Sequence, residues 1–270
     1  MATGSLARGL ATLERLAGEA HGVPLARIAE DLDLPKSAAH RVLAALIEAQ
    51  YVQQLETTGN YALTLRIPSL GLRHLAGATV YELATPLLAR LAERSGQLVR
   101  LGLVDGDQLL WVAKAQGART GLRYDPDHGA EIPLALSASG LAWLSALPED
   151  RAMRLVAAKE STQRHPLGHN APRNLIEVME RVREARERGW ASVHDSVEEG
   201  ISAMATTLPA PPPQFANGVV SIAGPTVQLT EELMKELLPD LQRLANELAN
   251  LTYNYRGVVL SHTPEQAALR

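Results

Sequence analysis

The segment from Pro24 to Leu65 constrains this chain most, because two helical repeats, a proline break and two alternating stretches follow one another in a short run. In the first repeat Leu25, Ile28, Ala29 and Leu32 recur at three-and-four spacing, which puts them on one helical face. Asp33-Leu34-Pro35 then breaks the pattern: proline pushes the preceding residue out of helical geometry and itself suits the first turn of a new helix. The second helix is predicted from Lys36 to Ala49, with Ala39, Val42, Leu43, Leu46 and Ile47 as its apolar stripe. Lys36, Ser37, His40, Arg41 and Ala44 are left facing outward. Tyr51 to Leu55 and Tyr61 to Leu65 alternate as strands around Glu56-Thr57-Thr58-Gly59-Asn60, which reads as a hairpin. Upstream, Leu6, Leu10, Leu13, Leu16 and Ala17 give an amphipathic helix expected to pack behind this unit, ended by Gly18 to Gly22. The order is that of a winged helix-turn-helix.

The outward face has the chemistry that a recognition helix needs. The DNA major groove admits one α-helix, whose N-terminal half reaches base edges and phosphates with cations, hydroxyls and small residues. Lys36, Ser37, His40 and Arg41 meet that description. The N-terminus of the helix adds partial positive charge and open N–H donors. Gln53, Gln54, Thr57 and Thr58 are positioned by the hairpin to reach phosphates or the minor groove. Charge counting narrows this reading. The formal net charge is −4, and up to Leu75 the cations Arg8, Arg15, Arg27, Lys36, Arg41, Arg66 and Arg73 are matched by Glu14, Glu19, Glu30, Asp31, Asp33, Glu48 and Glu56. From Pro35 to Ile47 there are cations and no acid, so charge asymmetry on one helix has to supply the contact with DNA.

The remainder of the chain is long enough for a second core: 46% of the 270 residues are hydrophobic. The absence of cysteine excludes disulfides and cysteine-based zinc sites. No signal peptide is visible and no apolar run approaches the roughly 20 residues that span a bilayer, which predicts a cytoplasmic protein without a membrane partner. One Phe and three Trp argue against an aromatic platform for single strands, so duplex DNA is the expected target.

Ile67 to Leu75, interrupted by Pro68 and Gly71 and closed by Gly77, reads as a linker helix. Helices are predicted at Tyr81 to Arg94, Ser137 to Leu147, Glu149 to Ala158, Arg173 to Arg188 and Thr230 to Leu251. Strands are predicted at Leu98 to Val104, Gln108 to Ala115, Thr120 to Tyr124, Trp190 to His194, Ile201 to Leu208 and Gly218 to Ala223, the first two joined through Asp105-Gly106-Asp107. Hairpin-linked strands mixed with helices indicate an α+β domain with a largely antiparallel sheet. Pro209-Ala210-Pro211-Pro212-Pro213 lacks interior donors and reads as an exposed loop. The predicted organisation is therefore a winged helix-turn-helix over 1–66, a linker helix over 67–78, an α+β domain over 79–254 and a loosely ordered or oligomer-contacting tail over 255–270.

Ser5 to Leu16, Ile28-Ala29, the run Leu34-Pro35-Lys36-Ser37-Ala38-Ala39-His40-Arg41-Val42-Leu43, Tyr51-Val52 and Gly59-Asn60-Tyr61-Ala62-Leu63 resemble the DNA-binding domain of the IclR family of bacterial transcription regulators. The resemblance extends to about Leu251. It implies a homodimer or homotetramer on a double-stranded operator, with a C-terminal domain of GAF-like type holding a small-molecule effector on the concave side of a curved sheet. Glu131 to Ala142 resembles the family segment in which a strand enters a helix whose first N–H groups bind the effector's carboxylate, a chemistry suited to a helix N-terminus. The resemblance assigns those amides to Ala138 and Ser139, walls to Ile132 and Tyr124, and the opposite side to Ile201, Ala203, Ser221 and Ala223. A plain Ser137 helix cap is the alternative there. The chain departs from the family pattern at Leu141, Ala203, Ala223 and Val193, where relatives carry lysine, cysteine, serine and aspartate. These changes remove polar partners, so a larger, partly aromatic acid or amide-like compound fits better than a tiny keto acid.

No catalytic set, metal site or cofactor is predicted. His194, Asp195 and Ser196 spell a triad in letters only, because neighbours on a strand point to opposite faces. His165 and His169 have helical metal-ligand spacing, but Pro166 and Gly168 make the stretch a loop and no third ligand accompanies them. The competing reading is a small-molecule or metal-sensing domain whose winged helix mediates protein association in place of DNA binding.

Overall fold

The computed structural model describes residues 4–19, 21–76, 80–124, 132–159, 167–210 and 216–259. The chain divides into two compact units, residues 1–77 and 78–270. The first contains α1 (Ser5–Leu16), α2 (Leu25–Asp31), α3 (Lys36–Glu48), β1 (Val52–Gln54), β2 (Tyr61–Leu63) and α4 (Arg66–Ala76). The turn between α2 and α3 is built as the proline requires: Asp33 takes a left-handed φ of 51°, and Pro35 stands at the N-cap of α3 with ψ 139°. Leu16, Val23, Ile28, Leu43, Val52 and Tyr61 form the core, and an isolated bridge from Val23 to Tyr61 ties the α1–α2 connection to the hairpin. Gly22 permits that bridge, since it has φ +69° and a Cβ there would lie 2.9 Å from the Tyr61 carbonyl oxygen.

Two expectations about this unit need correction. Leu6 and Leu10 are 76% and 52% exposed, so the inner side of α1 is Thr12 and Leu16, with Leu13 packed beside them. The apolar arc of α1 is wider than the surface that α3 and β2 offer it. Ile47 is exposed as well, and Ala38 is buried in addition to Ala39 and Leu43; Ile47 lies in the last turn of α3, outside the core cluster.

The second unit contains α5 (Val80–Ser95), β3 (Leu98–Asp105), β4 (Gln108–Gln116), α6 (Ala138–Ser145), α7 (Glu149–Lys159), α8 (Leu175–Arg188), β5 (Ala191–His194), β6 (Ile201–Leu208), β7 (Gly218–Pro225) and α9 (Glu231–Val259). The five strands pair in the order β4-β3-β7-β6-β5, antiparallel throughout, which makes the unit α+β. Alternation sorts their side chains onto two cores. Val99, Leu101, Ala113, Met204, Leu208, Val220 and Ile222 pack with α5 and α9, whereas Val104, Leu109, Ala191, Val193, Ala205 and Val219 pack with α6, α7 and α8. The central strand β7 is consequently buried along its whole length.

The strand expected at Thr120 to Tyr124 does not form. β4 is the edge of the sheet, and the Gln116 side chain serves this segment instead, donating to the Tyr124 carbonyl at 2.8 Å and accepting from Ala118 N–H at 3.0 Å. At the other end, α9 continues past Leu251 to Val259, so the stretch from Arg256 to Val259 is helical. No proline interrupts the backbone ladder between Asp240 and Val259. Residues 211–215 of the proline-rich loop and residues 260–270 lie outside the described residues. No described helix is long and apolar enough to cross a membrane.

Candidate functional site

Lys36, Ser37, His40, Arg41 and Ala44 all lie on the exposed side of α3. Among the described residues no side-chain hydrogen bond or ion pair occupies Lys36, His40 or Arg41. Three of the balancing acids of the unit, Glu19, Glu30 and Asp31, are engaged elsewhere. Arg15 holds Asp31 at 2.5 Å and Glu19 at 3.0 Å, and Arg27 reaches Asp31 at 3.0 Å and Glu30 at 3.8 Å. The Arg15 hydrogen bond keeps the Asp31 carboxyl below the usual carboxylate range. Local pairing thus takes up part of the charge balance of the unit: Arg15 of α1 and Arg27 of α2 hold Glu19, Glu30 and Asp31, away from the cations at the start of α3. At the start of α3, Ala38 and Ala39 N–H donate to the Pro35 carbonyl, and the cap itself has no side-chain bond.

The hairpin separates its candidates. Gln53 and Thr57 are exposed. Thr58 is exposed too, but its hydroxyl accepts from Asn60 N–H at 3.2 Å, and Gln54 donates to the Gly59 carbonyl at 2.8 Å. Gln54 and Thr58 therefore brace the turn. Beside α3 the sequence reading missed a groove of about 760 Å³, lined mainly by apolar side chains of α1 and α3, including Leu6, Leu10, Val42 and Leu46, with Arg41 at its margin.

In the second unit, Ser137 caps α6 by accepting from Gly140 N–H at 3.0 Å and donating to the Pro133 carbonyl at 2.7 Å. The plain-cap alternative is real. It engages the third N–H of the helix and leaves those of Ala138 and Ser139, both buried, as the remaining donors of the first turn. α6 packs over β5, β6 and β7. On the sheet face beneath it, register places Ser221 beside Ala205 and Ala223 beside Ala203, with Ile201 two residues from Ala203 and so on the same face. Val193 and Leu141, two of the positions that depart from the family pattern, are also buried on this side.

On the other flank of β7, Ser221 is paired with Arg100 of β3, a residue the sequence reading did not select. The Arg100 guanidinium lies 3.8 Å from the Trp111 ring centroid and 5.9 Å from that of Tyr124. Burial pulls Arg100 down to about 10, opposed in part by the Tyr124 phenol, and burial pushes Tyr124 up. Arg100 Nε and Ser221 Oγ are both buried, and neither has a hydrogen-bond partner among the described residues. Ile132 enters this face over Gly102, where a Cβ would lie 2.8 Å from Ile132 Cδ1 and 3.1 Å from Val219 Cγ2. The available signal for Arg100 was a lone cation inside the apolar strand Leu98-Val99-Arg100-Leu101-Gly102-Leu103-Val104.

The histidines have other partners. His194 Nδ1 is 2.8 Å from Ser202 Oγ, which donates to Thr226 Oγ1 at 3.0 Å, and Thr226 donates to Asp195 Oδ1 at 3.3 Å. Ser196 turns away and donates to the Leu136 carbonyl at 2.8 Å, so no triad assembles. His169 Nδ1 lies 2.8 Å from Glu199 Oε1, while His165 and Glu131 lie outside the described residues. Among the described residues no group of three His, Cys, Asp or Glu is placed to hold a metal.

With this geometry in hand, the chain matches two family descriptions: "IclR helix-turn-helix domain" over residues 5–56 and "Bacterial transcriptional regulator IclR C-terminal" over residues 72–250. It is 26% identical over 247 residues to the acetate operon repressor of Salmonella typhimurium, covering 90% of this chain and 88% of that protein. It is 26% identical over 256 residues to the transcriptional repressor IclR of Escherichia coli, covering 94% of this chain and 90% of that one. Among solved structures it resembles an IclR homolog from Microbacterium hydrocarbonoxydans complexed with 4-hydroxybenzoate, with a TM-score of 0.73, 18% identity, and coverage of 92% of this chain and 98% of that one.

Proposed function

Because the chain belongs to the IclR family of bacterial transcription regulators and carries that family's DNA-binding domain, we propose that it binds a pseudo-palindromic operator as a homodimer or homotetramer and changes its affinity when a small organic effector occupies the α+β unit. The observation that carries this reading is the exposed face of the first half of α3, Lys36 to Arg41, which presents cations and no acid, in a unit where Arg15 and Arg27 hold Glu19, Glu30 and Asp31. Lys36, Ser37, His40 and Arg41 contact base edges and phosphates, and Gln53, Thr57 and Thr58 contact the flanking backbone. Two copies reach two half-sites about one helical turn apart, and the exposed Leu6 and Leu10 beside the α1–α3 groove favour association of copies. The protein acts in the cytoplasm and catalyses no reaction.

The effector lies between α6 and the sheet, with Ala138 and Ser139 on one side, Ile201, Ala203, Ser221 and Ala223 on the other, and Tyr124 and Ile132 as walls. An aromatic acid is favoured by the small residues of the sheet face and by the ligand of the Microbacterium homolog. The linker over residues 67–78 converts ligand-dependent packing into half-site spacing. A ligand shifts DNA affinity only as far as it binds the competent and incompetent arrangements differently.

The test uses the full chain and a duplex enriched from a random pool by repeated binding selection. Arg41→Ala weakens binding to that duplex at least about tenfold in fluorescence anisotropy, since a base-edge contact is worth about 1–3 kcal/mol. Its unfolding temperature stays at the wild-type value because Arg41 is exposed. Unchanged affinity removes α3 from the DNA contact and favours the association reading of the winged helix.

A further inference from the structure

We propose that the effector of this protein is an organic carboxylate with an apolar body, and that Arg100 is the side chain that recognises its acid group, assisted by the Ser221 hydroxyl. This rests on the reading that the α+β unit binds a small organic effector. The two residues stand opposite each other on adjacent strands, facing the side of the sheet that α6 covers. Ser221 is buried and Arg100 half-buried, and each has a buried polar atom without a partner among the described residues, a donor at Arg100 Nε and a hydroxyl at Ser221 Oγ. A buried donor left unpaired is costly, and a buried cation without a counter-charge more so. Arg100 still carries its charge at neutral pH, because burial brings it down only to about 10. Among the described residues no carboxylate pairs with it.

The geometry fits one ligand chemistry. Trp111 lies against a flat side of the guanidinium and fixes its plane, so the edge that carries Nε is the one free to bond. An arginine edge matches the two oxygens of a carboxylate, and an ammonium in its place would not. One oxygen of the acid takes Arg100 Nε–H and the Ser221 hydroxyl donates to the same group. Beyond Ser221 the face continues as Ala205, Ala203 and Ala223, small apolar side chains that suit an apolar body and offer no competing charge. At the neighbouring position Gly102 admits Ile132, which closes that side as an apolar wall. The amides of Ala138 and Ser139 are then not the sole source of positive potential: a guanidinium supplies the charge, and this distinguishes the chain from a site that relies on a helix terminus.

The experiment is calorimetric titration of the full chain with benzoate, 4-hydroxybenzoate and phenylacetate, and with the corresponding neutral amides. Wild type is expected to bind at least one acid about tenfold or more tighter than its amide. Arg100→Met loses about 100-fold in affinity for that acid and no longer prefers it to the amide, in line with loss of a charge-assisted contact. Arg100→Lys recovers only part of the preference, because it restores charge without the fork. Ligand-free Arg100→Met unfolds at or above the wild-type temperature, since the substitution removes a buried cation that lacks a partner. Equal binding of acid and amide by wild type, an acid preference that survives Arg100→Met, or a large fall in the unfolding temperature of that variant overturns the role of Arg100. If wild type binds neither acids nor amides, the effector reading itself fails and this inference with it.

Discussion

The two units of this protein hold their positive charge in opposite ways. On the first half of α3, Lys36, His40 and Arg41 stand in water with no acid among them, whereas Arg100 is half-buried among Trp111, Tyr124 and Ser221 on the inner face of a sheet. Water and salt satisfy the first group, so keeping it costs little and its strength depends on a partner with many charges. The second is desolvated, so a single matching anion gains a strong, directed bond there and the empty state is penalised. A surface of several weak cations suits a polyanion such as duplex DNA, and a single buried fork suits a small acid.

Salt should separate the two most sharply. If a dimer neutralises about six phosphates, its affinity for the selected duplex falls about a thousandfold between 50 and 200 mM salt, because each neutralised phosphate releases counterions. Binding of an acid at Arg100 changes less than about threefold over that range, since a buried pair is screened weakly. Anisotropy for the duplex and calorimetry for benzoate, at both salt concentrations, measure the two slopes. A steep slope for benzoate would put its site on the surface and erase the contrast.

Core truncation comes next in size. Leu43→Ala in the first unit and Leu144→Ala in the second each remove a fully buried leucine, a loss of about 2–5 kcal/mol. The consequences differ because the described core of the first unit is six residues, Leu16, Val23, Ile28, Leu43, Val52 and Tyr61, while Leu144 belongs to one of two larger clusters. Leu43→Ala therefore unfolds the small unit well below the wild-type transition and removes DNA binding, while benzoate binding persists. Leu144→Ala lowers the main calorimetric transition and weakens benzoate binding. Identical losses of both activities in both variants would mean that the two units do not unfold separately.

The same contrast explains what the sequence made legible. α2, the turn at Pro35, α3 and the hairpin follow from local periodicity and backbone chemistry, and the exposed cations of α3 show up as the residues left off the apolar stripe. The strands and helices of the second unit were legible for the same reason, with two exceptions. Thr120 to Tyr124 has strand-like composition, but strand formation needs a partner edge, and the Gln116 side chain occupies that role. Leu6 and Leu10 are apolar at helical spacing, but periodicity states which face is apolar and not whether anything covers it. Arg100 was hidden for a further reason: its meaning depends on Ser221, which lies more than a hundred residues away and becomes its neighbour only through the β3–β7 register.

His169 supplies the intermediate case, an exposed cation with a carboxylate partner, and the smallest expected effect. Its ring lies 2.8 Å from Glu199 Oε1, and its backbone N–H donates to Glu199 Oε2 at 3.2 Å. The carboxylate holds His169 above the ordinary histidine value, and the same hydrogen bonds hold Glu199 below the usual carboxylate range. The raised histidine contributes stability that is full below its unfolded value and is lost as pH rises through its folded one. The lowered glutamate contributes stability that is full above its unfolded value and is lost as pH falls through its folded one. The pair is therefore strongest between the ordinary glutamate and histidine values, in mildly acidic solution. Both side chains are exposed, so water and salt screen the gain. An NMR titration of His169 should give a midpoint above the ordinary histidine value in wild type and a lower one in Glu199→Gln, with benzoate affinity the same in both. A midpoint that ignores Glu199→Gln would mean that the pair does not form in solution. A change in benzoate affinity would mean that surface charge reaches the buried site, and the separation between the two kinds of cation would no longer hold.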